Sequence, residues 1–172
     1  MTPPKTLQVE QIGVDVLIPY ARNSRTHSGA QVAQIAASIR EFGFTNPVLI
    51  DGDGGIIAGH GRVMAARLLG LSEVPCIRLA YLSETQRRAY VILDNRLPLN
   101  AAWDEQLLSL ELNDLQAADF DLALLGFDAD ELEQALRLGD DFAPGDQDGQ
   151  SHLDVMRSYT CPNCNHVFTI AR

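Results

Sequence analysis

Ile57-Ala-Gly-His-Gly-Arg-Val-Met-Ala-Ala-Arg67 reads as a short apolar strand, a Gly-His-Gly-Arg turn and the opening of a helix. A helix start presents unpaired backbone N–H groups and a partial positive charge. Gly59 and Gly61 let the backbone approach a ligand closely, and Arg62 adds a planar donor fork that suits phosphate. Strand, glycine turn and helix therefore compose an anion cradle. The same order also serves as a plain tight turn with a solvated arginine, so this pattern needs support from the rest of the chain.

On the N-terminal side, Ile56-Ile57-Ala58 returns against Pro47-Val-Leu-Ile50 across the reverse turn Asp51-Gly-Asp-Gly-Gly55, which is a hairpin. Before the hairpin, a helix from about Gln31 to Phe42 carries Val32, Ile35, Ile39 and Phe42 on one face, with Ser28 as cap and Gly43 as stop. Residues 6–18 alternate apolar and polar as a strand broken near Gly13, and Pro19 to Gly29 is a polar loop. On the C-terminal side, the helix that opens at about Gly61 runs to Leu69 and closes at Gly70. Val74-Pro-Cys-Ile-Arg-Leu79 is a strand, and the capping box Ser83-x-x-Gln86 starts a helix reaching about Leu97.

From Asp104 the pattern changes to short leucine-rich helices, the last capped by Asp128-x-x-Glu131 and ending at Gly139. These leucines suit packing back onto the core, or a docking surface. The stretch from Gly139 to Ser151 is a linker by composition. The expected organisation is a domain over 1–100, an acidic helical extension over 101–139, a linker over 140–158 and a short cysteine-containing tail over 159–172. There are no internal repeats.

Charge divides along the same line. Residues 1–100 hold 10 Lys+Arg against 8 Asp+Glu, whereas 101–172 hold 3 against 15, and the whole chain of 172 residues carries −10. Nonspecific DNA affinity comes mainly from phosphate contact, so direct DNA binding would need a local basic patch or a partner protein. No apolar run approaches the roughly 20 residues that cross a bilayer. Met-Thr-Pro-Pro-Lys-Thr lacks the apolar core of a secretory signal, and three cysteines do not make a disulfide framework. The expectation is a cytoplasmic protein without membrane association.

Three further groups could carry chemistry. Cys161-Pro-Asn-Cys164 with His166 has the spacing of a zinc knuckle, but Zn2+ needs four ligands. A site completed by His152, one completed across a homodimer, and a vestigial half-site all stay open. Asp94-Asn95-Arg96, near a helix end, pairs a carboxylate with a carboxamide that can hold hydrated Mg2+, though ordinary surface residues look the same. The loop Arg22-Asn-Ser-Arg-Thr-His27 offers two arginines and several donors to a phosphate or a base, or else only to water. Cys76, inside an apolar strand, reads as an inert buried thiol.

Together these segments resemble the ParB N-terminal domain of the ParB/sulfiredoxin superfamily, over about residues 8–98. Leu17-Ile-Pro-Tyr-Ala-Arg-Asn-Ser-Arg25 resembles the family's first box, and Ile35 to Gly43 with Asn46-Pro-Val-Leu-Ile50 its next helix and strand. Ile57 to Pro75 resembles its glycine–arginine box, and Asp94-Asn95-Arg96 its Glu-Asn box with Asp replacing Glu and a shorter spacing to the arginine. The resemblance implies an α+β fold: a small mixed sheet with packed helices, followed here by the acidic helices and the tail. It implies CTP, or ATP, bound with Mg2+: Gly59, His60, Gly61 and Arg62 on phosphates, Asn23 and Arg25 from the first box, and Asp94 and Asn95 at the metal. Sulfiredoxins carry a catalytic cysteine before the His-Arg of a similar box; Gly59 stands there, which argues against sulfinic acid reduction. Partition proteins continue into a helix-turn-helix domain, whereas here an acidic stretch and a cysteine knuckle follow.

The run Leu93 to Asn100, Trp103-Asp104 and Leu125-Gly-Phe-Asp128 is similar to ParB-like modules of phage and mobile elements. Those modules often accompany a DNA methyltransferase, a partner this chain would then require. The expected function is a nucleotide-binding module in DNA modification, partition or mobile-element biology. A slow NTP hydrolase, a serine-type small-molecule kinase of the same fold and an adaptor with an empty nucleotide site are the alternatives.

Overall fold

The computed structural model describes residues 7–23, 25–137, 157–160 and 167–170. Four strands, β1 (Val9–Gly13), β2 (Val48–Ile50), β3 (Ile56–Ala58) and β4 (Glu73–Arg78), form one sheet in the order β1-β4-β2-β3. β4 pairs antiparallel with β1 and parallel with β2, and β2 pairs antiparallel with β3, so the sheet is mixed. The expected α+β class, a small mixed sheet with packed helices, is what the chain adopts.

Successive strand residues face opposite sides, and both sides here are covered. Ile56 belongs to a core with Val48, Ile50, Val63, Ala66 and Val74, where α2 (His60–Leu68) lies against the sheet. Its neighbour Ile57 packs on the other side with Leu79 and Val91, the latter from α3 (Glu84–Arg96). α1 (Gly29–Phe42) lies outside α2, joined to it through Val32, Ala36 and Ala65. Cys76 is fully buried in β4, and its thiol is pushed up to about 11, first by loss of solvation and then by Glu10, so it is the inert thiol expected.

Local signals act as anticipated. Ser28 Oγ accepts from the Gln31 N–H at 3.1 Å, and Gly43 at φ +79° closes α1 by donating its N–H to the Ile39 carbonyl. With Ser28 as cap, α1 starts at Gly29, two residues ahead of the sequence reading. The Ser83/Gln86 capping box at α3 is complete. Residues 14–16 depart from the strand expected over 6–18: they form a 3-10 turn, the Val14 N–H donates to the Ser72 carbonyl, and Ile18 bridges to Gly55.

After a 3-10 segment at Leu97–Asn100 come α4 (Glu105–Ala117), a second 3-10 segment at Leu122–Leu125, and α5 (Ala129–Arg137). Leu112 and Leu122 are buried, and buried Ser109 donates from Oγ to the Leu136 carbonyl at 3.3 Å, joining α4 to α5. Leu107 and Leu125 stay exposed, so only part of the leucine pattern is core. β5 (Arg157–Thr160) and β6 (Val167–Ile170) pair antiparallel, Thr160 opposite Val167. Cys161, Cys164, His166 and His152 lie outside the described residues. Among the described residues, no helix is long and apolar enough to cross a membrane.

Candidate ligand-binding site

β3 runs directly into α2 through Gly59, whose φ of +99° and ψ of 23° lie in the left-handed region. His60, Gly61 and Arg62 are the first three residues of α2, where backbone N–H groups have no partner within the helix. Both glycines sit where a Cβ would crowd its neighbours, and Gly59 is constrained by its backbone as well. A Cβ at Gly59 would lie 2.9 Å from Arg62 Nη2, and one at Gly61 would lie 3.0 Å from Ile35 Cδ1 and 3.1 Å from His27 Cε1. The absent side chains let the Arg62 guanidinium fold back over the turn and let α1 close against it.

Arg62 Nη2 donates to the Pro47 carbonyl at 3.3 Å, while Nε is buried with no protein partner. Burial pulls the Arg62 pKa down, and Asp94 partly restores it. A guanidinium remains charged at neutral pH regardless. A half-buried cation with a buried donor that lacks a protein partner, beside a helix N-terminus, is an arrangement that suits an anion.

His60 Nε2 accepts the Tyr20 backbone N–H at 3.2 Å. That bond requires Nε2 without a proton and places the ring proton on Nδ1. Burial lowers the His60 pKa, and nearby His27 lowers it further, so the neutral ring is favoured. The Asn23 amide binds Arg25 twice: its Nδ2 donates to the Arg25 carbonyl at 3.1 Å, and its Oδ1 accepts the Arg25 N–H at 3.2 Å. Asn95 Nδ2 donates to the Val91 carbonyl one turn back at 2.7 Å, which leaves its Oδ1 as the group available to a cation.

These elements enclose a cavity of about 140 Å³. All eight residues expected from the sequence line it: Asn23 and Arg25 from the loop, Gly59 to Arg62 from the turn, Asp94 and Asn95 from the end of α3. His27, Ile35 and Ala58 complete the wall. Ile35 was legible only as core, and nothing in the sequence says that His27 faces Gly61, since that contact exists only once α1 has docked on α2. A second cavity of about 420 Å³ shares Ile35 and Arg62 with the first and is bounded by Leu124, Leu125 and Gly126.

Sheet, glycine turn and converging polar groups define a small α+β domain with a polar cavity at a helix N-terminus. The chain belongs to the ParB N-terminal domain family, which matches residues 2–95. A second family, the ParB-methyltransferase HTH domain, matches residues 106–156 and so takes in most of α4 and all of α5. That match corrects the expectation that an acidic stretch replaces a helix-turn-helix; the lack of basic residues concealed the relationship.

The ParB-like nuclease domain-containing protein YnaK of Escherichia coli is 60% identical over 72 residues, 42% of this chain and 83% of that protein. A probable chromosome 2-partitioning protein ParB of Deinococcus radiodurans is 40% identical over 68 residues, 38% of this chain but only 23% of that protein. Among solved structures, C-terminally truncated chromosome-partitioning protein ParB of Caulobacter crescentus, complexed with CTP-gamma-S, aligns with a TM-score of 0.55 at 23% identity. That alignment covers 63% of this chain and 62% of the other, and it establishes a shared fold.

Proposed function

We propose that residues 1–100 bind a nucleoside triphosphate, CTP before ATP, with Mg2+. The module would act beside a DNA-acting partner such as a methyltransferase, in DNA modification, partition or mobile-element biology. The observation that carries this reading is the convergence of three separate polar segments on one cavity around the partnerless Arg62 Nε. Arg62 and the N–H groups of His60 and Gly61 would hold phosphate oxygens, with Asn23 and Arg25 closing from the loop. Asp94 and Asn95 Oδ1 would hold the hydrated Mg2+, which keeps several waters and shares phosphate ligands. A cavity of about 140 Å³ suits phosphate groups; whole-ligand pockets run to roughly 300–1,000 Å³, so sugar and base would extend beyond it. The Caulobacter relative crystallised with a CTP analogue has the same fold, which makes CTP the first nucleotide to test.

Calorimetric titration with CTP, ATP and GTP in Mg2+ tests the reading. CTP is expected to bind, and Arg62→Ala to weaken it about tenfold or more, the scale of losing a charge-assisted hydrogen bond. Asp94→Ala is expected to remove the Mg2+ dependence. If no nucleotide binds, or Arg62→Ala matches the wild type, the site is empty and the chain is an adaptor.

A further inference from the structure

The span matched by the helix-turn-helix family, residues 106–156, holds one arginine against thirteen acidic residues, a net charge of −12. Affinity for nucleic acid comes chiefly from cationic side chains on phosphates, and this unit has almost none. An exposed apolar feature lies at the N-terminal edge of this unit, where the start of α4 faces α5. Trp103 is 70% exposed, with its ring centroid 6.2 Å from that of half-buried Phe127. A groove of about 370 Å³ runs past the pair, floored by Leu108 and Ala135, with exposed Glu105 and Glu131 at its sides.

Local structure explains part of this. Asp104 caps α4 by accepting the Leu107 N–H at 3.1 Å, so Trp103 and Leu108 stand at the positions of a hydrophobic staple. A staple needs only one side of an apolar side chain and does not account for a tryptophan left mostly in solvent. An exposed aromatic with carboxylates beside it fits a cationic side chain, which the ring face and the carboxylates both attract.

We infer that this groove docks a basic amphipathic segment of a partner protein, an apolar residue packed on the aromatic pair and Lys or Arg against Glu105 and Glu131. Charge complementarity selects that occupant. Duplex DNA is repelled by the unit's net charge. A second copy docked groove to groove would bring Glu105 and Glu131 against identical groups. Residues 138–172 of the same chain hold two arginines against five acidic residues, so they too carry the wrong sign. The mode is a helix seated in a groove, with charges setting orientation and encounter rate. It does not depend on nucleotide binding at the Arg62 cavity.

Trp103 is the chain's one tryptophan, so its emission reports on the groove directly. The full chain is titrated with a synthetic peptide that places leucine on one helical face and lysine on the flanks. The expected result is a saturable blue shift, with none from an analogue carrying Glu for Lys or from oligolysine. Glu131→Gln is expected to weaken binding about two- to fivefold, the scale of one rim charge, while its amide keeps the capping bond from the Asp128 N–H. Glu111→Gln, the same charge change at a residue that does not line the groove, is expected to leave binding unchanged. Phe127→Ala, with its fold checked by circular dichroism, is expected to weaken binding about tenfold. The inference is overturned if the peptide causes no saturable shift, or if Glu111→Gln costs as much as Glu131→Gln. It is overturned equally if duplex DNA produces the shift, or if the protein alone shifts with concentration and sediments as a dimer.

Discussion

Gly59 carries two constraints at once: a left-handed φ of +99° and a Cβ position 2.9 Å from Arg62 Nη2. An L side chain there suffers backbone strain of about 1–3 kcal/mol and also pushes the guanidinium off the turn. Gly61 differs, because it carries no positive φ, and the nearest atom to its Cβ is the far end of the Ile35 side chain, which can give way. Alanine in the first turn of the helix offsets part of that cost through its propensity. Gly59→Ala should therefore lower the denaturation free energy by about 1–3 kcal/mol and abolish the proposed nucleotide binding, with Gly61→Ala clearly milder in urea titrations. Equal losses would mean that the turn's conformation is not what Gly59 supplies.

His60 predicts a pH effect. Its folded-state pKa lies below the usual 6.5, first through burial and then through His27. A His with a lowered folded pKa adds stability above its unfolded pKa, and that stability is lost as pH falls through the folded value. Protonation also removes the acceptor for the Tyr20 N–H. Thermal midpoints should fall as pH is lowered from neutrality through 6.5 and below. His60→Gln, which keeps an acceptor but does not titrate, should flatten that slope relative to the wild type.

Among the elements, those set by neighbours in sequence were readable: the Ser28 and Ser83 caps, the Asp51–Gly55 turn, the strand–glycine–helix order. β4's place between β1 and β2 was not, because strand order is fixed by distant pairing and by burial of Val74 and Cys76. The candidate site divides likewise. Each polar segment was visible, but their meeting at Arg62 depends on α1 and α3 docking on opposite sides of the β3–α2 junction.

The hairpin turn offers an element-scale test. Asp51 Oδ1 accepts the N–H groups of Asp53 and Gly55 at 3.0 and 2.7 Å, while Oδ2 pairs with Arg87 of α3, whose Nε is buried with no protein partner. One carboxylate thus shapes the β2–β3 turn and ties it to α3. Asp51→Asn keeps an acceptor for the turn but leaves Arg87 uncompensated, and should cost about 2–3 kcal/mol, less than a fully buried pair because Arg87 is partly solvated. Asp51→Ala loses the turn bonds as well and should cost about 1–2 kcal/mol more. Chemical denaturation of the two variants separates the contributions.

Over the whole molecule, the family match at 106–156 and the charge of that span point in opposite directions, and magnitude decides between them. A helix-turn-helix that grips DNA releases counterions through several cationic contacts, and its affinity falls steeply with salt. This span offers one arginine, while the first hundred residues are close to balanced at 10 Lys+Arg against 8 Asp+Glu, and the chain as a whole carries −10. The full chain alone should leave the fluorescence anisotropy of labelled duplex DNA unchanged at about 150 mM salt, where screening acts over about 8 Å. Lowering the salt should produce at most weak, sequence-independent binding. Tight binding that persists at that salt would show that Arg22, Arg25 and their neighbours form a phosphate-reading patch on their own, and that the acidic helices do not govern access to DNA.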